Sequence, residues 1–169
     1  MQPSGRFESP RVLLRQAAPC QLVAFSPDSR LVLTSSLDAS VRLHEVSSAK
    51  QLAAYPQGQE TVVSLSWFPS SKRFLVATHR QLSVYSTQYA GSEPFQRITP
   101  AHSYTYDAVV GPGGDSIISV GQDRKIAFAR WGAAPGACCS LVGLWTGRID
   151  CWLAGSATQL TPPTPQAGG

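Results

Sequence analysis

The chain has 169 residues, 43% of them hydrophobic, and a formal net charge of +4. That length is one domain or a piece of one, and the apolar share is enough to pack a core over most of it, which excludes a mainly disordered chain. The basic residues are scattered without a long run, a weak footprint for nucleic acid or a membrane surface.

The opening MQPSGRFESP reads as a loose entry, residues 1–10, with neither the apolar centre of a secretory signal nor the bias of a transit peptide. Val12 to Arg15 is short and apolar enough for one strand. Three apolar runs follow, Leu22 to Phe25, Leu31 to Leu33 and Val41 to Val46, separated by Pro-Asp-Ser and Leu-Asp-Ala-Ser turns. The grammar returns at VVSLSWFPSSKRFLVATHRQLSVYS, residues 62–86, and at YDAVVGPGGDSIISVGQDRKIAFARW, residues 106–131. The turn prolines Pro27, Pro69 and Pro112 fall 42 and 43 residues apart, a period in the range of propeller blades. One further strand precedes each later triplet, at Gln51 to Tyr55 and Phe95 to Ile98. The predicted unit is therefore an outer strand followed by three inner ones, a four-stranded meander.

Apolar pairs and runs such as Leu31-Val32-Leu33, Phe74-Leu75-Val76-Ala77 and Ile117-Ile118 place apolar side chains on both faces, as sheets stacked between two neighbours require. Helices are not expected, because proline interrupts every window of helical spacing. The units are expected at residues 11–46, 51–86 and 94–131. Residues 132–169 change character, with Arg148 and Asp150 their charged side chains. Leu141 to Trp145 and Ile149 to Leu153 are two candidate strands there, and TPPTPQAGG is expected to be disordered. This tail reads as foreign to the repeat, with a degenerate further blade as the alternative.

The stretch LVLTSSLDASVRLHEV, residues 31–46, resembles the second half of a WD-repeat, the β-propeller family whose blades end in Trp-Asp. Thr34 stands at the family's Ser or Thr, Asp38 at its turn aspartate, Val41-Arg42-Leu43 on its third strand and His44-Glu45 at the dipeptide. In the third repeat Ser119 and Asp123 match the two polar positions, His102 stands near the Gly-His pair, and Ala129-Arg130 occupies the dipeptide. The second repeat departs furthest, with Arg80 about where the aspartate belongs. The resemblance implies an all-β, partial WD-repeat-like propeller of about three four-stranded antiparallel blades over residues 11–131, unclosed as an isolated chain. It also implies a hydrogen-bonded blade network from Thr34, Asp38, His102, Ser119 and Asp123, structural in purpose.

Closed propellers of seven blades need on the order of 300 residues. The chain is accordingly expected to be a segment or shortened form of a larger WD-repeat protein, its missing blades supplied by the parent chain or by self-association. The implied function is a non-catalytic protein-protein interaction scaffold or adaptor, in an intracellular, cytoplasmic or cytoskeletal setting, with nucleus, centrosome and cilium open. Its expected binding rim comprises Gln59, Glu60, His79, Arg80, Tyr104 and Arg124, with His102 beside them.

The sequence holds no constellation of residues that points to catalysis. The three histidines lack metal-ligand spacing, and the cysteines at 20, 138, 139 and 151 form neither a disulfide framework nor a Cys-x-x-Cys motif, so free thiols in a reducing compartment are expected. Gly111-Pro112-Gly113-Gly114 joins two strands and so is a turn, not a phosphate loop. No metal, cofactor or membrane span is expected. Two alternatives stand beside the scaffold: a nucleic-acid-binding module using Lys72-Arg73 and Arg124-Lys125, disfavoured because those pairs belong to opposite ends of a propeller, and a truncated product with no independent function.

Overall fold

The computed structural model describes residues 16, 18–88 and 93–130, and the backbone of three further strands at 140–144, 148–153 and 156–158. The entry segment 1–10, the strand expected at Val12 to Arg15 and the terminal TPPTPQAGG lie outside the described residues. Among the described residues every regular element is a strand.

The first sheet contains β1 (Cys20–Phe25), β2 (Leu31–Ser36), β3 (Ser40–Glu45) and β4 (Gln51–Pro56); the second contains β5 (Val62–Trp67), β6 (Arg73–Thr78), β7 (Leu82–Ser86) and β8 (Gln96–Ile98). The third runs from β9 (Thr105–Val110) through β10 (Ser116–Gly121) and β11 (Ile126–Arg130) to β12 (Ser140–Leu144), β13 (Arg148–Leu153) and β14 (Ser156–Thr158). Each strand pairs antiparallel with its sequence neighbour within its sheet.

The outer strands differ from the expected grouping. Gln51–Pro56 pairs with Ser40–Glu45 and Gln96–Ile98 with Leu82–Ser86, so each closes the sheet of the triplet before it. The sheets therefore span 20–56 and 62–98, displaced by one strand from units drawn at 51–86 and 94–131. The reason is local: the turn after β3 doubles back at once, with Glu45 N–H donating to Lys50 O at 2.9 Å, whereas residues 57–61 carry the chain across to the next sheet. The tail also contributes more than its composition implies. β12 takes the outer place of the third sheet, with Gly143 opposite Ile126, and β13 and β14 extend it.

The turn after each first strand repeats in detail. Pro27, Pro69 and Pro112 are followed two residues later by Ser29, Ser71 and Gly114, all in the left-handed region at φ 59°, 57° and 72°. The N–H of each of these donates to the carbonyl three residues back, at Ser26, Phe68 and Gly111, over 2.8–3.0 Å. Proline presets the first bend and the left-handed residue redirects the chain into the next strand. Only in the third turn is that residue glycine, which takes this conformation without strain.

The core consists of two layers either side of the second sheet. Phe74 and Val76 pack with Trp67 and Tyr85 against Leu33, Val41, Leu43 and Tyr55 of the first sheet. Leu75 and Ala77 pack with Leu82, Val84 and Phe68 against Ala108 and Ile117 of the third. Strand alternation sends successive residues of Phe74-Leu75-Val76-Ala77 to opposite layers, and all four are fully buried. Hydrogen bonds cross both layers: Trp67 Nε1–H donates to Ala24 O at 3.1 Å, Ser64 Oγ to Ala108 O at 2.9 Å, and Val110 N–H to Ser66 Oγ at 3.0 Å. Phe74→Ala is expected to destabilise the chain by about 3–5 kcal/mol in urea denaturation, while Val23→Ala on the exposed outer face of the first sheet changes stability by less than about 0.5 kcal/mol.

Candidate functional site

The connections 57–61, 79–81, 99–104 and 122–125 gather at one rim because they all lie at the same ends of antiparallel strands. Backbone hydrogen bonds brace them: Gln57 N–H donates to Ala39 O of the β2–β3 turn, Thr105 N–H to His79 O and Gln122 N–H to Tyr104 O, each at 2.8–2.9 Å. Rim side chains are thus presented on a braced edge, not on independent loops.

The structure sorts the expected rim residues into separate groups. The His79 ring stacks on Tyr104 at 3.8 Å between centroids, fixed by a 3.0 Å contact of its Nδ1 with Thr105 O, and Tyr106 meets Tyr104 edge-on at 5.6 Å. Both tyrosines are exposed, so His79, Tyr104 and Tyr106 form an aromatic ledge. Glu60 and Arg80 line a different cleft of about 210 Å³, with Gln81, Arg97, Ile98 and Thr99. Gln59 is exposed next to it without lining it, and Arg124 stands exposed in the β10–β11 turn at φ 61°. His102 belongs to no rim surface, being only 5% exposed. Tyr106 and Arg97 carry no turn signal in the sequence, since both lie on strands.

His102 instead anchors the third sheet. Its Nδ1 lies 2.8 Å from Asp123 Oδ1 and its Nε2 3.2 Å from Ser119 Oγ. With Asp123 ionised, Nδ1–H donates to the carboxylate and Nε2 accepts the serine hydroxyl. Burial opposes ionisation of Asp123, but the His102 hydrogen bond and the Lys125 backbone N–H outweigh it and hold the carboxyl below its ordinary value. Gly121 makes the arrangement possible, since a Cβ there would sit 2.5–2.6 Å from His102 Cγ and Cβ and from Tyr104 O.

Aspartate, histidine and serine in line resemble a nucleophilic triad in connectivity, but not in access. Ser119 is 4% exposed, and the space beside it, about 20 Å³, is water-sized. A substrate carbonyl has no approach to that hydroxyl.

The first sheet builds a different set. Asp38 does not join a histidine: its Oδ1 accepts Ser40 N–H and Oγ–H, and its Oδ2 meets Arg42 Nη2 at 2.6 Å. The Ser40 hydroxyl and then Arg42 hold the Asp38 carboxyl down to about 2. Thr34 Oγ1 accepts from Gln16 Nε2 and contacts His44 Nε2 at 3.3 Å, while Gln16 Oε1 accepts from Arg42 at 2.6 Å. Gln16 thus takes the place that His102 has in the third sheet. The signal was spacing, because Gln16 precedes Thr34 by 18 residues as His102 precedes Ser119 by 17. In the second sheet packing replaces the polar set: the Phe74 and Tyr85 rings meet each other and Tyr55 of the first sheet at 4.8–5.5 Å, and Gln57 Nε2 donates to the Tyr85 hydroxyl at 3.0 Å.

Among the described residues no three or more His, Cys, Asp or Glu side chains are grouped to hold a metal, and no helix is long and apolar enough to cross a membrane. Cys20 is free and exposed; the side chains of Cys138, Cys139 and Cys151 lie outside the described residues. Lys72-Arg73 sits at the β5–β6 turn and Arg124-Lys125 at the β10–β11 turn, on opposite rims.

Residues 20–45 match the family model for the WD domain, G-beta repeat. The chain is 26% identical over 98 residues to the ribosome biogenesis protein BOP1 of Mus musculus, covering 58% of this chain and 13% of that protein. It is 28% identical over 117 residues to the COMPASS component SWD1 of Saccharomyces cerevisiae, covering 63% and 28% respectively. The chain therefore spans less than a third of either relative. Among solved structures, the β-propeller domain of Myceliophteria thermophila Cps50 (Swd1) superposes with a TM-score of 0.62 at 12% identity, covering 70% of this chain and 36% of that one. The RRP9 WD40 repeats give 0.62 at 15% identity, covering 71% and 38%.

Asp123→Ala is expected to speed amide hydrogen exchange across β9–β11 and lower the melting temperature by several degrees, with Asp28→Ala, in an exposed turn, leaving both nearly unchanged; matched small effects would count against the network. His44 supplies a pH dependence. Burial first, and then the charge of Arg42, lower its pKa below the ordinary 6.5. As pH falls the unfolded chain binds this proton before the folded one does, so stability declines below about pH 6.5 until folded His44 itself titrates. A His44→Gln variant should accordingly lose less melting temperature than the parent chain between pH 7.5 and 5.5.

Proposed function

Taking residues 20–45 as a WD40 repeat within a fold of stacked propeller blades, we propose that the chain is a protein-interaction scaffold or adaptor segment whose contact surface is the braced rim. WD40 propellers serve generally as non-catalytic scaffolds, and the two curated relatives are named as a component of a complex and as a biogenesis protein. The observation that carries the reading is the rim itself: the exposed aromatic ledge of His79, Tyr104 and Tyr106 stands on strand ends cross-tied by backbone hydrogen bonds. Rigid aromatic side chains and arginines are the residue types that anchor protein partners. An intracellular setting belongs to the same proposal.

The reading extends to the end faces. In the second sheet Leu75, Ala77 and Leu82 are 0–2% exposed beneath the third sheet, whereas Ile118, Val120 and Ile126, at the corresponding positions of the third, are 37%, 36% and 55% exposed. That face is a blade contact without its neighbour, and the proposed occupant is a further blade of a longer parent chain or of a second copy. The first sheet exposes Val23 and Phe25 at the other end. With such faces open, single basic pairs on opposite rims give nucleic acid no continuous track.

The rim is tested by Arg80→Glu combined with Arg124→Glu, which should abolish recovery of protein partners in pull-downs while the circular dichroism spectrum is preserved; undiminished recovery would remove that rim from the proposal. For the end faces, Ile118→Lys with Ile126→Lys should lower self-association of the isolated chain in light scattering.

A further inference from the structure

The aromatic ledge has a shape and a donor balance that select among partners. His79 covers one face of Tyr104, with 21° between the ring planes, whereas Tyr106 stands nearly perpendicular to Tyr104, 70° away in plane and 5.6 Å between centroids. The two exposed tyrosines therefore form a corner and not a flat platform. The residue between them fixes that corner. Thr105 is fully buried, its N–H donates to His79 O at 2.8 Å, and its carbonyl accepts His79 Nδ1–H at 3.0 Å. Rings held in this way lose little freedom when a partner arrives.

The edges of the ledge are donors. Among the described residues neither tyrosine hydroxyl is hydrogen-bonded, and neither Arg80 nor Arg124 is in an ion pair. Arg80 follows His79 in the chain, and Arg124 belongs to the turn whose Gln122 N–H is tied to Tyr104 O. The neighbouring carboxylates are engaged elsewhere, Asp123 with His102 and Lys125, and Asp107 with Ala108 N–H at 2.8 Å. Glu60 shares a cleft with Arg80 without pairing to it. Apolar rings edged by hydroxyls and guanidinium groups call for a ligand with apolar bulk, unpaired acceptors and negative charge.

A proline-rich segment has the first two of these properties. Proline carries a carbonyl but no N–H, and the polyproline II helix leaves its carbonyls unpaired. It rises about 3.1 Å per residue, so prolines one or two positions apart fall about 3–6 Å apart along its axis, a span that matches the 5.6 Å between the Tyr104 and Tyr106 rings. Aromatic surfaces recognise such segments because they are already ordered before binding. Carboxylates beside the prolines supply the charge that Arg80 and Arg124 lack. Single-stranded nucleic acid fits less well, since successive bases stack on ring faces and these two tyrosines lie 70° apart.

We infer that the ledge docks a proline-rich, acidic segment of a partner protein. This rests on the protein-binding reading of the rim and names the chemistry of what that rim holds.

The test is nitrogen-edited NMR of the full chain titrated with an end-blocked peptide Glu-Pro-Pro-Glu-Pro-Pro-Glu, with versions replacing every proline by alanine or every glutamate by lysine, and with single-stranded oligothymidine. Expected are saturable shifts centred on His79, Tyr104 to Asp107 and Arg124, with the alanine and lysine peptides each bound about tenfold more weakly. Tyr106→Val, which keeps a strand-forming residue at an exposed position, should weaken the acidic proline peptide by about tenfold. The double variant Arg80→Glu, Arg124→Glu should weaken it and improve binding of the lysine version. Equal binding of the alanine peptide, shifts centred on another surface, or tighter binding of the oligothymidine would each overturn the inference. Protein partners that pull-downs lose with Arg80→Glu, Arg124→Glu but retain with Tyr106→Val would also overturn it, while leaving the rim a protein-binding surface.

Discussion

The structure depends on burying both faces of one sheet. Phe74, Leu75, Val76 and Ala77 are inaccessible to solvent because the first and third sheets cover opposite sides of the same strand. Apolar burial is the main favourable term in folding, and at about 25 cal/mol per Å² a strand covered on both sides gains nearly twice what a half-covered one gains. The flanking sheets meet the middle one on one face each and leave apolar side chains on the other. Stability therefore grades outward from the second sheet.

That gradient explains how each sheet is held. The second sheet is held chiefly by packing, its Trp67, Phe74 and Tyr85 filling the layer against Tyr55 of the first. The flanking sheets, covered once, add side-chain hydrogen bonds: His102 with Ser119 and Asp123 in the third, and Gln16 with Thr34, Arg42 and Asp38 in the first. A buried network stabilises only when its members are satisfied. The third sheet's set meets that condition at both histidine nitrogens, whereas in the first sheet His44 keeps a buried Nδ1 without a partner. The same scaffolding positions the loops, whose cross-ties make the rim a continuous edge.

The two rims then differ in chemistry because the connections that form them differ. One carries the aromatic ledge on strand ends. The other carries the proline turns, where a single pair of basic residues in the second sheet meets the serines and the phenylalanine of neighbouring segments. A stack of antiparallel four-stranded units thus presents two chemically distinct surfaces from one repeated backbone.

Much of this was legible in the chain itself. The period of the turn prolines, the alternation within strands and the runs apolar on both faces determine a stack of meandering sheets, because pleat geometry and turn stereochemistry act between residues near in sequence. The polar positions at Ser119, Asp123 and His102 were legible only through the resemblance to WD repeats. Only the tertiary structure decided that Gln51–Pro56 closes the sheet before it, that Gln16 stands in for a histidine, that Asp38 turns to Arg42, and that Glu60 joins Arg80 while His79 joins Tyr104. Those outcomes turn on which strand edge and which cavity are nearest once the layers pack, and distance in space between remote residues is not encoded in local spacing.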